Sequence, residues 1–156
     1  MSSKIKNEFK VRDNTLEDAW NASYSRCENF LFWPSDEVVK FFARKIRRRI
    51  GPDSWSDIAE RAEGATMLDV GCGVGRHVKF GLEMGLDMYG CDLSQIAINT
   101  ACEYLKDEMS GKEKQKLLTT DICSLPWDNG FFDHIMSDSV LDSMPFDVAQ
   151  EGMSEM

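Results

Sequence analysis

The chain has no apolar run near the ~20 residues that a helix needs to cross a bilayer, no C-x-x-C pair and no excess of positive charge. Each absence removes a class of function. Without the apolar run a membrane anchor is not expected. Met1 to Arg12 is polar and mixed in charge, so it does not read as a signal peptide, and the expected compartment is the cytoplasm. The five cysteines, Cys27, Cys72, Cys91, Cys102 and Cys123, are scattered and odd in number. That argues against a disulfide framework and against a zinc site, and no metal is expected. The net charge of -9 lacks the cationic surface that counterion release from DNA or RNA requires, so a nucleic-acid partner is not expected. One basic run stands out, Arg44, Lys45, Arg47, Arg48 and Arg49. It reads either as a solvated helix face or as a patch for a phosphate-bearing ligand.

What is present is an ordinary folded composition, 42% hydrophobic and 29% charged over 156 residues, enough for one domain. The first third reads as helices. Thr15 with Asp18 resembles a variant capping box opening a short helix through Ala19, Trp20 and Tyr24. Ser35 is the expected N-cap of a second helix, with Asp36 and Glu37 in its first turn. Its spacing predicts helix to Ile50, burying Val38, Phe41, Phe42, Ile46 and Ile50, with Gly51-Pro52 as the stop. A third helix is expected over Ser56 to Glu63. From Met67 the pattern alternates. Strands are expected at Met67–Val70, Met88–Cys91, Lys116–Thr120 and Asp133–Ser137. Helices are expected from Arg76 to Met84, after Ser94 and from Pro145 to the chain end, with a polar loop over Gly111 to Lys116. Alternation of this kind implies an α/β fold with a doubly wound parallel sheet, whose ligands bind at the carboxyl ends of the strands. The expected division is a helical cap over 1–64 and a sheet core over 65–156.

The loop Asp69-Val70-Gly71-Cys72-Gly73-Val74-Gly75 follows the first strand of that core and opens a helix. Three glycines at alternate positions let a ligand lie against bare backbone, and the helix N-terminus behind them offers unpaired N–H groups. A dinucleotide site prefers G-x-G-x-x-G, but here Arg76 stands where the third glycine would be. The form with an acidic residue two places before the first glycine, "LDVGCGVGRH", resembles motif I of the class I (Rossmann-like) S-adenosylmethionine (SAM) dependent methyltransferases, of the type 11/25 kind. The likeness continues at "YGCDLS", where Asp92 lies 21 residues past Gly71, at Asp121-Ile122, and through "LPWDNGFFDHIMSDSVLD". Together these elements span Met67 to about Met144.

The resemblance implies a Rossmann-like sheet and SAM as cofactor, held by Asp69, Gly71, Cys72, Gly73, Gly75, Asp92, Leu93, Asp121, Ile122 and Ser137. Asp92 would accept from the ribose hydroxyls and Asp121 from the adenine amine. In the family an N-terminal helix folds over the cofactor, which brings Tyr24 and Arg26 towards its methionine end, while Trp20 and Trp33 are expected as lid or core aromatics. No residue announces itself as a catalytic base. The plainer readings are that Asp92 and Asp121 cap helices without a ligand, that His77 packs or caps, and that Asp138 and Asp142 cap. A full family sheet has seven strands in the order 3-2-1-4-5-7-6, and only about four are expected here. The expectation is therefore a truncated core, its fourth strand an open edge that a second copy could pair with. The resemblance implies methyl transfer to a small-molecule acceptor. The alternatives are a non-catalytic SAM-binding module completed by a partner and, disfavoured by Arg76, an NAD-dependent oxidoreductase.

Overall fold

The computed structural model describes residues 15–156, so the polar stretch Met1 to Arg12 lies outside the described residues. Helix α1, Thr15–Ser25, comes first. Ser35 then caps α2, Asp36–Phe41, its side chain accepting from Val38 N–H, as its sequence position predicts. The helix does not continue to Ile50. It passes through one π-helical stretch, Phe42–Ile46, and turns into strand β1, Arg47–Gly51. The chain reverses and returns antiparallel as β2, Ser54–Asp57. Neither the helix over 47–50 nor the one over 56–63 forms.

Local contacts account for the difference. Arg47 lies across β1 and β2, ion-paired to Asp57 at 2.7 Å and Glu63 at 3.0 Å, and donates to the Met84 carbonyl at 3.0 Å. Trp55 receives the Arg47 and Arg49 guanidinium groups 5.4 and 6.0 Å from its ring centre. Ile50 is 62% exposed and Phe41 is exposed as well, so only Val38, Phe42 and Ile46 of the expected apolar face enter the core. The basic run is thus divided. Arg47 is buried and structural, Arg49 donates to the carbonyls of Gly51 and Pro52, and Arg44, Lys45 and Arg48 are exposed.

The remainder follows the expected alternation. Strands β3 (Thr66–Val70), β4 (Asp87–Asp92), β5 (Leu117–Thr119) and β6 (His134–Ser137) form one parallel sheet in the order β5-β4-β3-β6. Helix α3, Arg76–Glu83, joins β3 to β4; α4, Gln95–Leu105, and a short turn α5, Glu113–Lys116, join β4 to β5. That turn occupies what the sequence marks as loop. After β5 the chain crosses to the far side of β3, and α6, Phe146–Glu155, closes the described chain. One sheet face buries Met67, Met88 and Leu117 against Val38, Phe42, Val78, Ile98, Ala101 and Leu105. The other buries Leu68, Val70 and Cys91 against Ile122, with Met156 and Leu141 around them. The N-terminal segment therefore shares the sheet's core. The switch in winding direction lies between β3 and β6, where ligands of such sheets bind.

Phe42 is fully buried and meets Phe80 edge-on at 5.1 Å, tying the π-helical stretch that follows α2 to α3. Phe42→Ala is expected to lower stability by about 3–5 kcal/mol in urea unfolding while leaving the far-ultraviolet dichroism of the folded chain unchanged.

Candidate active site

The glycine loop is built by backbone geometry that side chains resist. Gly71, Gly73 and Gly75 have φ values of 74°, 53° and 85°. A Cβ on Gly71 would overlap Val140, and one on Gly73 would lie 2.7 Å from the Tyr24 hydroxyl. The N–H groups of Gly71 and Cys72 both donate to the Cys91 carbonyl, at 2.7 and 2.9 Å, which fixes the loop to the end of β4. Asp92 completes the attachment. Its Oδ2 accepts from Gly73 N–H at 2.9 Å and its Oδ1 from Ser94 N–H at 2.8 Å. Ser94 in turn caps α4 by accepting from Ala97 N–H, and its hydroxyl donates to Asn21 of α1 at 2.7 Å. Ser94, and not Asp92, is thus the N-cap of α4, while Asp92 holds backbone through both oxygens and lines the cleft end of the sheet.

Two adjoining clefts open at this end of the sheet. The first, about 280 Å3, lies between Gly71, Gly73, Arg76, Asp92 and Asp138, under Trp20, Tyr24 and Leu31. The second, about 370 Å3, runs from Gly71, Asp92 and Leu93 to Thr120, Asp121 and Ile122, with Leu16 and Glu17 of α1 beside it. Gly71, Asp92, Leu93 and Val140 line both. Of the residues singled out in sequence, Gly71, Cys72, Gly73, Asp92, Leu93, Asp121 and Ile122 are brought together along this continuous groove. Asp69 and Gly75 are buried behind the loop, and Ser137 ends β6 with its hydroxyl buried and without a hydrogen-bond partner among the described residues. Tyr24 lines the first cleft, whereas Arg26 is exposed and paired to Glu28 at 2.7 Å. Trp33 is 84% exposed and belongs to neither core nor cleft. Asp121 Oδ1 accepts from Cys123 N–H at 2.9 Å. Asp142 is exposed on a short 3-10 turn.

Residues that sequence reasoning passed over include Glu17, Asn29 and the Ser139-Val140 turn. Ser139 has φ 61°, a left-handed backbone that a serine adopts only when its surroundings impose it. That strain leaves no signature in sequence. Arg76 was legible only as an absent glycine. In the structure it lines the first cleft, its Nη2 3.4 Å from Asp138 Oδ2.

The charges below the loop are set by burial. Burial, aided by repulsion from Asp138 and Asp92, pushes the Asp69 carboxyl up to about 8. Its Oδ2 has no hydrogen-bond partner among the described residues and faces His77 Nδ1 at 3.9 Å. His77 is buried, and desolvation with the nearby Arg76 charge lowers its pKa to about 4. Its Nε2 accepts from Ser35 N–H at 3.2 Å, which places the single ring proton on Nδ1 and occupies the lone pair a base would use. Among the described residues no cluster of His, Cys, Asp and Glu has the arrangement of a metal site. Because folded Asp69 keeps a proton that the unfolded chain releases near its ordinary value of 3.8, the native state binds more protons between about pH 4 and 8. His77, neutral when folded, acts in the opposite sense between about pH 4 and 6.5, so the fall in stability is expected as pH rises from about 6.5 to 8, and Asp69→Asn is expected to flatten it, read from urea midpoints at closely spaced pH values.

A family model described as a methyltransferase domain matches residues 67–156. No curated protein sequence matches the chain. Among solved structures, magnesium protoporphyrin IX methyltransferase from Synechocystis PCC 6803 with bound SAM is similar with a TM-score of 0.67 at 18% identity, covering 91% of this chain and 68% of that one. The [4+2]-cyclase SpnF is similar with a TM-score of 0.62 at 15% identity, covering 90% and 53%. A TehB-like SAM-dependent methyltransferase from Corynebacterium glutamicum ATCC 13032 gives 0.54 at 18%, covering 92% and 66%. The chain thus spans between 53% and 68% of the length of these structures, and at such identities the likeness establishes the fold. The family match covers more than half of the sequence and begins on the strand that carries the glycine loop, so the chain belongs to the methyltransferase domain family.

Proposed function

We propose that this chain binds S-adenosylmethionine along the two joined clefts and serves methyl transfer to a small-molecule acceptor. The observation that carries the reading is the glycine loop clamped by Asp92 where the two clefts meet. On this reading Asp92 accepts from the ribose hydroxyls, Asp121 and Ile122 receive the adenine in the second cleft, and the Gly71–Gly73 backbone meets the methionine end in the first. SAM carries an already activated methyl group, so the chain's task is to hold sulfonium and acceptor in line. The acidic lining suits a cationic cofactor. The described part of 1–64 acts as a cap, with Leu16, Glu17, Trp20 and Tyr24 laid over the groove.

A non-catalytic SAM-binding module is the second reading, favoured by the engaged lone pair of His77. It predicts cofactor binding without turnover. No described helix is long and apolar enough to cross a membrane, and the reading places the chain in the cytoplasm without a nucleic-acid partner. Strand β6 is paired on one side only, with β3, and its open edge is the place where a second copy would add. A compact monomer by light scattering would remove that dimer.

Isothermal titration with SAM, S-adenosylhomocysteine and NAD tests the cofactor reading. Both adenosyl ligands are expected to bind and NAD not to. Asp92→Ala should weaken both by about 10- to 100-fold or more, as expected for loss of charged hydrogen bonds. NAD binding, or no binding by a chain folded by circular dichroism, would reject it.

A further inference from the structure

We propose that the segment from Phe41 to Ile58 is a docking surface for the face of an anionic phospholipid bilayer. The inference stands apart from the cofactor reading above.

The charge of the chain is unevenly placed. Of its 18 lysines and arginines, Lys40, Arg44, Lys45, Arg47, Arg48 and Arg49 fall in one stretch that holds no carboxylate, in a chain whose net charge is -9. Ion pairing engages the acids beside that stretch. Glu37 is held by Lys40 at 2.9 Å, and Asp57 and Glu63 are held by the buried Arg47. Arg49 is turned onto Trp55 and the carbonyls of Gly51 and Pro52. Arg44, Lys45 and Arg48 are left exposed, with no ion-pair partner among the described residues. Asp36, Asp53 and Glu60 are the other carboxylates from α2 to Glu63, and none of them pairs with these three cations.

Backbone geometry turns the three cations outward. The π-helical stretch Phe42–Ile46 buries Phe42 and Ile46, so Arg44 and Lys45 fall on its solvent side. In β1, Arg47 and Arg49 share one side of the hairpin with Asp57 and Trp55, and from that side Arg47 reaches the Met84 carbonyl. Arg48, opposite Ser56, lies on the other side. Exposed apolar side chains stand among these cations. Phe41 ends α2, Ile50 follows the arginines of β1, and Ile58 is drawn to the π-helical stretch by its N–H bond to the Ile46 carbonyl.

Single exposed apolar residues are ordinary, but three set among unpaired cations form the mixed surface that a bilayer boundary takes up. Lipid phosphates receive the guanidinium and ammonium groups, while the apolar tips enter the headgroup layer. A nucleic-acid backbone would use the cations and leave the isoleucines idle. The acidic remainder of the chain does not forbid the contact. At physiological salt, screening acts over about 8 Å, so cations at the contact outweigh carboxylates farther away.

Sedimentation with vesicles tests the assignment, using phosphatidylcholine alone and phosphatidylcholine mixed equally with phosphatidylglycerol. The chain is expected to sediment with the anionic vesicles, to be released as salt is raised, and to ignore phosphatidylcholine alone. Arg44→Gln, Lys45→Gln and Arg48→Gln combined are expected to weaken binding about 100-fold, about 5-fold for each cation. Lys106→Gln, Lys112→Gln and Lys114→Gln combined remove the same charge from an exposed region outside the segment and are expected to bind like the unaltered chain. Phe41→Ser with Ile50→Ser is expected to bind about 10-fold more weakly. Circular dichroism and thermal melting check the folding of each variant. No binding to anionic vesicles at low salt, or equal weakening by the two glutamine variants, overturns the proposal. Unchanged binding by the serine variant also overturns it, leaving a bare charged face. So does binding of a short duplex DNA through the same three cations when vesicles are not bound, which assigns them to nucleic acid.

Discussion

The bond from Gly73 N–H to the Asp92 carboxylate holds the carboxyl end of this sheet together. A loop with three left-handed glycines has many conformations open to it, and it presents N–H groups to a ligand only if one of them is selected. Asp92 makes that selection. It sits at the end of β4, grips the loop through Gly73 and grips the start of α4 through Ser94. Ser94 extends the same network to α1 through Asn21. One carboxylate thus fixes a strand end, a loop, a helix and the cap. Burial raises its pKa above the ordinary carboxylate value, and the backbone N–H groups of Ser94, Gly73 and Leu93 offset only part of that rise. The donors that orient the side chain are the same ones that favour its charge.

The charge pattern around that bond has a direction. Asp69, behind the loop, is held protonated near neutral pH because it is fully buried with Asp138 and Asp92 nearby. His77 stays neutral for the same reason of burial. The carboxylic side chains that line the clefts are Glu17, Asp92, Asp121 and Asp138, and Arg76 is the one lysine or arginine among the described lining residues. The close approach of the Tyr24 hydroxyl and Val140 to the glycines narrows the groove from both sides, so the cap and the turn after β6 share one floor.

How far the sequence disclosed this depends on which forces act locally. The alternation after Met67 and the caps at Ser35 and Ser94 were legible, because period, capping residue and glycine turn are written into neighbouring positions, whereas the order of the four parallel strands was implied only by the family resemblance. The hairpin at 47–57 was not. The run through Ile46 and Ile50 satisfies a helical period, yet Arg47 finds Asp57, Glu63 and the Met84 carbonyl only once the chain has folded back. Tertiary partners outweigh a weak local preference there. The site divides in the same way. The glycine loop, Asp92 and Asp121-Ile122 were visible as motif positions, whereas Glu17, Asn29 and Ser139 reach the groove through contacts that no local pattern encodes.

Arg76 shows how one departure from a motif can be constructive. In a G-x-G-x-x-G loop the third glycine allows the helix to lie close against its neighbours. Here Gly75 has taken over that contact: a Cβ on it would stand 2.8 Å from Leu105 and 3.3 Å from Ala101 of α4. With the close approach made one position earlier, the next residue no longer has to be small. It begins α3 at the rim of the first cleft, where a long side chain reaches Asp138 across the mouth of the loop. The shift of a single position turns a place reserved for backbone proximity into one that carries a charge. The same substitution that argues against a dinucleotide site thereby supplies the groove with its one guanidinium among the described residues.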